Sequence, residues 1–411
     1  LYSVVITDVV QTIILTVASI AIAAIAYTQL SSGALAEALP NGWASFAPRW
    51  RIPEMANTAN YENYEFFGAL VIVWVLKGLF WNAGGPAQIY DFQRFLAARN
   101  PRDAAKLGAA WSVFLVPRWA MCMGIVLLAL TGLGGVTDPE KVMPMVLQRY
   151  LPIGMRGLVV AGLLAAFMST FSSTVNSGAS YIVRDFWQIY VRPDADQDHL
   201  VRASYVSTVA IVIVGIIIGF QASTIKDIWD WLMMALGAGV VIPNVLRWYW
   251  WRINGWGYAA GTLGGIALAT VPLAIDLPLY VSFPLICMGS LMASVLVTLS
   301  THPVERSTLR SFYKSVRPFG AWGPVRRELQ QNGEETTEPA ESAGRALLNV
   351  ALGMAAITGI YLFPMYLVGH WHMRALIWGA IALAAGVTLA FTWYPYLPSG
   401  EEPANSESAG D

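Results

Sequence analysis

The 411-residue chain is 56% hydrophobic and only 12% charged, with a formal net charge of −1. A soluble domain carries about 25% charged residues, so half the usual surface charge is missing, and the near-neutral balance gives no sign of a nucleic-acid partner. Mean hydropathy is +0.52, and apolar residues come in runs of about 20 or more, the length that crosses a bilayer as a helix.

Ten apolar segments follow one another, at 3–29, 65–85, 107–132, 155–183, 203–222, 228–250, 256–275, 278–300, 346–368 and 374–394. The first begins almost at Leu1, with no charged leader or cleavage site before it, so it does not read as a signal peptide. The expectation is a fragment that starts partway through a longer chain. Asp8 lies in this first segment, within Thr7-Asp8-Val9-Val10-Gln11. An ionisable group inside a span is costly and marks a functional site, unless it reaches an interface. Lys77 poses the same question in the second segment, where a structural ion pair and a site are equally good readings. That segment ends in Trp81-Asn82-Ala83-Gly84-Gly85-Pro86-Ala87-Gln88. Gly-Gly-Pro marks either a helix end or a break whose unwound backbone serves a ligand.

In the third segment Arg118 follows Pro117, about ten residues in, too deep for easy escape to water. The fourth carries the strongest local signal. Along it Ala166, Ser169, Thr170, Ser173, Asn176, Ser177 and Ser180 share one face, with Ser172 at its edge. Small hydroxyl residues pack helix against helix; they also supply hard, uncharged oxygen ligands suited to an alkali cation. Cys122 and Cys287 both lie in apolar runs and read as packing residues. The one long hydrophilic stretch, 301–345, reads as a solvated cytoplasmic linker, and an acidic tail begins at Glu401.

Connections alternate in charge. Sixteen Lys and Arg residues fall on one side, among them Arg94, Arg184, Arg247, Arg252, Arg306 and Arg310, against seven on the other. The positive-inside rule puts the first group, Leu1 and the tail in the cytoplasm. His199, His302, His370 and His372 all read as loop residues, and no span carries a nucleophile–base pair or metal-ligand spacing, so an enzyme is a poor reading. A transporter-like sensor domain is the other alternative.

Several motifs carry a family likeness: Thr7 to Gln11, Gln93-Arg94-Phe95-Leu96-Ala97-Ala98-Arg99, Ala165 to Asn176 with Tyr181 and Asp185, and Leu246 to Asn254. In these the chain resembles the sodium:solute symporters, relatives of the sodium–glucose cotransporters and the bacterial proline permease. The resemblance implies an all-α polytopic membrane protein with the LeuT-type inverted-repeat fold, lacking core helices one to four. It divides the chain into a transporter core at 1–300, the loop at 301–345, two membrane helices at 346–396 and the tail at 397–411. It implies a first sodium site with the carbonyl of Ala166 and the hydroxyls of Ser169 and Thr170. Asp8, Ser172 and Ser173 match a second site. One or two sodium ions and no organic cofactor follow, with a small organic solute as cargo and the inner or plasma membrane as location. Trp81, Asn82 and Gln88 would line the substrate pathway, and Arg118 would meet an anionic or carbonyl group of the solute. Gly84-Gly85-Pro86 departs from the sugar transporters, so sugar specificity does not carry over.

Overall fold

The computed structural model describes residues 2–40, 42–53, 64–84, 95–134, 138–221, 224–232, 237–271, 275, 277–333 and 342–398. Its helices, in chain order, are α1 (Tyr2–Gln29), α2 (Ser32–Ala38), α3 (Phe67–Ala83), α4 (Pro101–Gly132) and α5 (Val142–Tyr150). Next come α6 (Ile153–Ser180), which runs on in wider π-helical turns over Tyr181–Val191, then α7 (Gln197–Gln221), α8 (Ile225–Asp230), α9 (Gly237–Tyr249) and α10 (Gly255–Leu268). The rest are α11 (Leu279–Ser300), α12 (Arg306–Val316), α13 (Gly323–Gln331), α14 (Ala343–Val368) and α15 (His372–Thr392). Extended pairing among the described residues is limited to an isolated bridge between Trp250 and Ala321.

Each expected apolar segment contains a helix. Among the described residues, seven helices are long and apolar enough to span a membrane: α1 from Asp8, α4, α6 with its extension, α7, α11, α14 and α15. The other three expected spans hold shorter helices, α3 with 17 residues, α9 with 13 and α10 with 14. The protein is therefore an all-α, multi-pass membrane protein. Helix α7 shows the consequence of a lipid solvent, because its apolar side chains, including Val206, Val209, Ile213 and Ile217, stay exposed. Water would penalise such a surface, whereas hydrocarbon does not.

The chain forms two compact units. The first comprises Leu1–Ala44, Arg94–Gly215 and Leu347–Asp411. Its core sets Ala18, Ile22 and Ala26 of α1 among Leu127 and Leu128 of α4, Val146 of α5 and Val159 of α6. Between helices in lipid, burial brings little hydrophobic gain, so small residues and close packing hold them together. Gly124 illustrates this: a Cβ there would stand 2.9 Å from the Ala26 Cβ, so only glycine lets α4 approach α1 so closely. Ser19 Oγ donates to Met121 Sδ at 3.4 Å across the same interface.

Helix α4 starts earlier than its apolar run suggests. Asn100 caps it by accepting from the Asp103 N–H at 2.8 Å, and Pro101 occupies the first turn. That charged first turn hides the helix start from a hydropathy reading. Arg118 is consequently residue eighteen of a 32-residue helix rather than about ten residues in.

The second unit comprises Ser45–Gln93 and Ile216–Ala346. Ser294 and Thr298 of α11 face Gly261 and Gly257 of α10 at four-residue spacing. A Cβ on Gly265 would lie 2.2 Å from Gly239 Cα on α9, so those two backbones touch. Ser290 Oγ lies 2.8 Å from the Gly239 carbonyl and 2.9 Å from that of Gly261, stitching three helices at one point.

The 301–345 stretch, expected as a solvated linker, folds in large part. Leu309 and Tyr313 of α12 pack on Val325 and Leu329 of α13, with Trp322 buried between them. The Trp322 indole donates to the Trp248 carbonyl at 2.8 Å, and the Ala321 N–H donates to Tyr249 at 2.7 Å. Apolar residues at helical spacing supply the reason, masked in the overall composition by the flanking charges.

Candidate cation site on α1 and α6

Two contacts set the register of α1 against α6. A Cβ on Gly162 would stand 3.5 Å from Leu15 Cα, which is ordinary van der Waals distance. Seven residues toward the N-terminus of α1, Asp8 Oδ1 accepts a hydrogen bond from Ser169 Oγ at 2.7 Å, seven residues beyond Gly162 on α6. Equal steps in opposite chain directions mean an antiparallel pair, and seven residues of each helix cover about 10 Å. The N-terminal end of α1 and the C-terminal end of α6 therefore lie on the same side, as the alternating charges of the connections require.

The Asp8–Ser169 contact has the ordinary length of an O–H···O hydrogen bond. Ser173 Oγ, one turn on, donates to the Ser169 carbonyl at 2.6 Å and is 3.2 Å from that of Thr170. Thr12 Oγ1 bonds likewise to the Asp8 carbonyl at 2.8 Å. Such back-bonding keeps polar side chains on the helix surface without leaving their hydrogen unsatisfied. Ala166 is half-buried, whereas Thr170 and Ser172 are exposed. Asp8 thus touches a residue of the first expected ligand set, so the two sets are contiguous on one helix face.

Gln11 adds a donor that the sequence reading passed over. Its Oε1 is buried and has no hydrogen-bond partner among the described residues. It sits almost one turn from Asp8, and the antiparallel register brings it level with Ala166. A buried, unmatched carbonyl oxygen costs free energy unless something supplies a positive charge or a proton. The only sequence clue is that Gln11 follows Asp8 at helical spacing. Among the described residues no three His, Cys, Asp or Glu side chains cluster. The oxygens here bring one formal charge, which suits a monovalent cation better than a divalent one.

The expected substrate residues are placed as follows. Trp81 packs in the second unit, where a Cβ on Gly237 would approach its ring to 2.7 Å. Asn82 uses its amide to donate to Gly78 at 2.7 Å within α3. Gln88, Gly85 and Pro86 lie outside the described residues. Arg118 belongs to the first unit and is exposed. Lys77 is half-buried in α3 of the second unit. Two of the histidines expected in loops are helical instead: His199 lies in the first turn of α7 against Trp187, and His372 opens α15.

The sequence profile of the sodium:solute symporter family matches residues 1–265. The osmoregulated proline transporter OpuE of Bacillus subtilis is 24% identical over 271 residues, covering 62% of this chain and 54% of that protein. The sodium/glucose cotransporter of Vibrio parahaemolyticus is 25% identical over 217 residues, 48% of this chain and 39% of that protein. The sodium/proline symporter of Haemophilus influenzae is 24% identical over 285 residues, covering 65% and 56%. The chain spans about half the length of the curated relatives it matches. With the profile covering well over half of its residues, the chain belongs to the sodium:solute symporter family.

Proposed function

We propose that the protein is a secondary active transporter that couples sodium entry to the uptake of a small organic solute by alternating access. The observation that carries this reading is the Asp8–Ser169 hydrogen bond, which joins a membrane-embedded carboxylate to the hydroxyl face of α6. A buried carboxylate is costly, and a cation beside it offsets that cost. Ala166, Ser169 and Thr170 form one ligand set, and Asp8, Ser172 and Ser173 form the other, with Gln11 as a further oxygen. Because Asp8 bonds to Ser169, an ion at either set reorganises the other, which favours cooperative sodium binding. Arg118, midway along α4, pairs with an anionic or carbonyl group of the solute, and Trp81, Asn82 and Gln88 contribute to its path. The names of the proline transporters among the relatives support amino acids as the first solutes to try. The protein resides in the cell membrane with the Arg-rich connections cytoplasmic, as the positive-inside rule favours.

The test is uptake by the full-length protein in proteoliposomes, screened over amino acids, sugars and organic anions. At least one solute should accumulate under an inward sodium gradient and not under an equal potassium gradient. Identical uptake in both would refute sodium coupling.

A further inference from the structure

Arg247, far along the sequence from the cation site, lines a cavity of the second unit; its Cζ lies over the Trp248 ring at 5.7 Å, but two of its nitrogens have no hydrogen-bond partner among the described residues. The cavity, about 310 Å³, sits where the end of α9, the turn into α10 and α12 meet. Arg247, Trp250, Trp251, Tyr258, Phe312 and Trp322 line it, and among the described residues no carboxylate does. Arg247 Nε and Nη2 are buried and have no hydrogen-bond partner among the described residues. The polar neighbours are already engaged. Glu328 is shared by Arg306 and Arg310 at 3.1 and 3.0 Å. Asn254 donates to Thr301 and His302 and accepts from Gly257, and Tyr258 donates to Asn244.

A desolvated guanidinium with two free N–H donors calls for an acceptor with two oxygens in fork geometry, which phosphate and carboxylate supply. The walls decide between a free anion and an amphiphile. They are mostly indole and phenyl surface, which a small hydrated anion would not cover but glycerol and acyl carbons would. The surroundings fit the same partner. Arg306 stacks over the Trp251 ring at 5.0 Å, and α12 carries Arg306, Arg310 and Lys314 on the face adjoining its buried Leu309 and Tyr313. Tryptophan belts and basic amphipathic helices mark the level of lipid headgroups. These cations belong to the Arg-rich side of the protein, where the leaflet is anionic.

We infer that this cavity binds an anionic phospholipid, with its phosphate on Arg247 and its glycerol and upper acyl carbons against Trp250, Trp251 and Phe312. The site ties the α12–α13 hairpin to the membrane surface. It rests on the membrane orientation proposed above and not on sodium coupling, so lipid binding and transport fail independently.

The experiment is native mass spectrometry of the full-length protein in neutral detergent, titrated separately with phosphatidylglycerol, phosphatidylcholine and inorganic phosphate. Phosphatidylglycerol should bind about tenfold or more tightly than phosphatidylcholine, and Arg247→Gln should weaken it about 10- to 100-fold, the worth of a charge-assisted fork. Phosphatidylcholine binding should not change. Thr308→Trp, which fills the cavity from an exposed lining position and keeps the guanidinium, should also abolish the preference. That variant decides the matter if Arg247→Gln does not fold. Equal binding of the two lipids, an unaffected Thr308→Trp, or displacement of phosphatidylglycerol by equimolar inorganic phosphate would each overturn the inference.

Discussion

Replacing Asp8 by Asn removes the charge from the cation site while keeping its shape. In the structure the carboxylate accepts from Ser169 at 2.7 Å, with Gln11 nearby on the same helix. A hydrogen bond to an ionised group contributes about 1.5–3 kcal/mol, against about 1 kcal/mol for a neutral one. A cation at the site adds its own attraction, at an effective dielectric well below that of water. Losing one to two such terms corresponds to about a 10- to 100-fold rise in the sodium concentration needed for half-saturation. The assay is sodium-dependent uptake, or displacement of radioactive sodium, by the full-length protein. Ser169→Ala should have a similar effect. The double variant should fall short of the product of the two, with a coupling of about 1 kcal/mol or more, because both act on one contact. Sodium affinities that multiply independently, or an Asp8→Asn variant within twofold of the unmodified protein, would refute this role for the contact.

Gln11→Leu should relieve a buried unmatched oxygen, raising thermal stability by about 1 kcal/mol in sodium-free buffer while lowering sodium affinity; a gain in both would remove Gln11 from the site. Gly124→Val should cost about 1–3 kcal/mol by overpacking the α1–α4 contact, read as a lower melting temperature in detergent. Arg118→Ala should lower solute affinity about tenfold or more, the loss of a charge-assisted pair, with sodium affinity nearly intact. Leu329→Ala, in the α12–α13 hairpin, should cost about 2–4 kcal/mol locally and expose the 301–345 stretch to limited proteolysis.

Hydropathy was enough to locate the membrane helices, because a bilayer admits only helical backbone in long apolar runs. It missed what does not depend on mean apolarity. The start of α4 at Pro101 lies in a polar turn signalled by the Asn100 cap, and α12 and α13 are short amphipathic helices. There, Leu309 and Tyr313, and Val325 and Leu329, stand four residues apart between charges. At the site, the hydroxyl face of α6 was legible from its spacing alone. Which serine meets Asp8 was not, since that depends on the antiparallel register that Gly162 sets against Leu15. The family likeness grouped Asp8 with Ser172 and Ser173, whereas its hydrogen bond goes to Ser169, about one turn nearer the middle of the helix. Arg247 was visible only as one of the sixteen cations on the Arg-rich side, and its unpaired nitrogens emerged only from the packing around it.

The most direct measurement is the simultaneous flux of radioactive sodium and solute in proteoliposomes holding the full-length protein. Solute should drive sodium entry, with more than one ion per solute in the unmodified protein and fewer in Asp8→Asn. Solute flux that carries no sodium, or a ratio that Asp8→Asn leaves unchanged, would contradict coupling through the α1–α6 site.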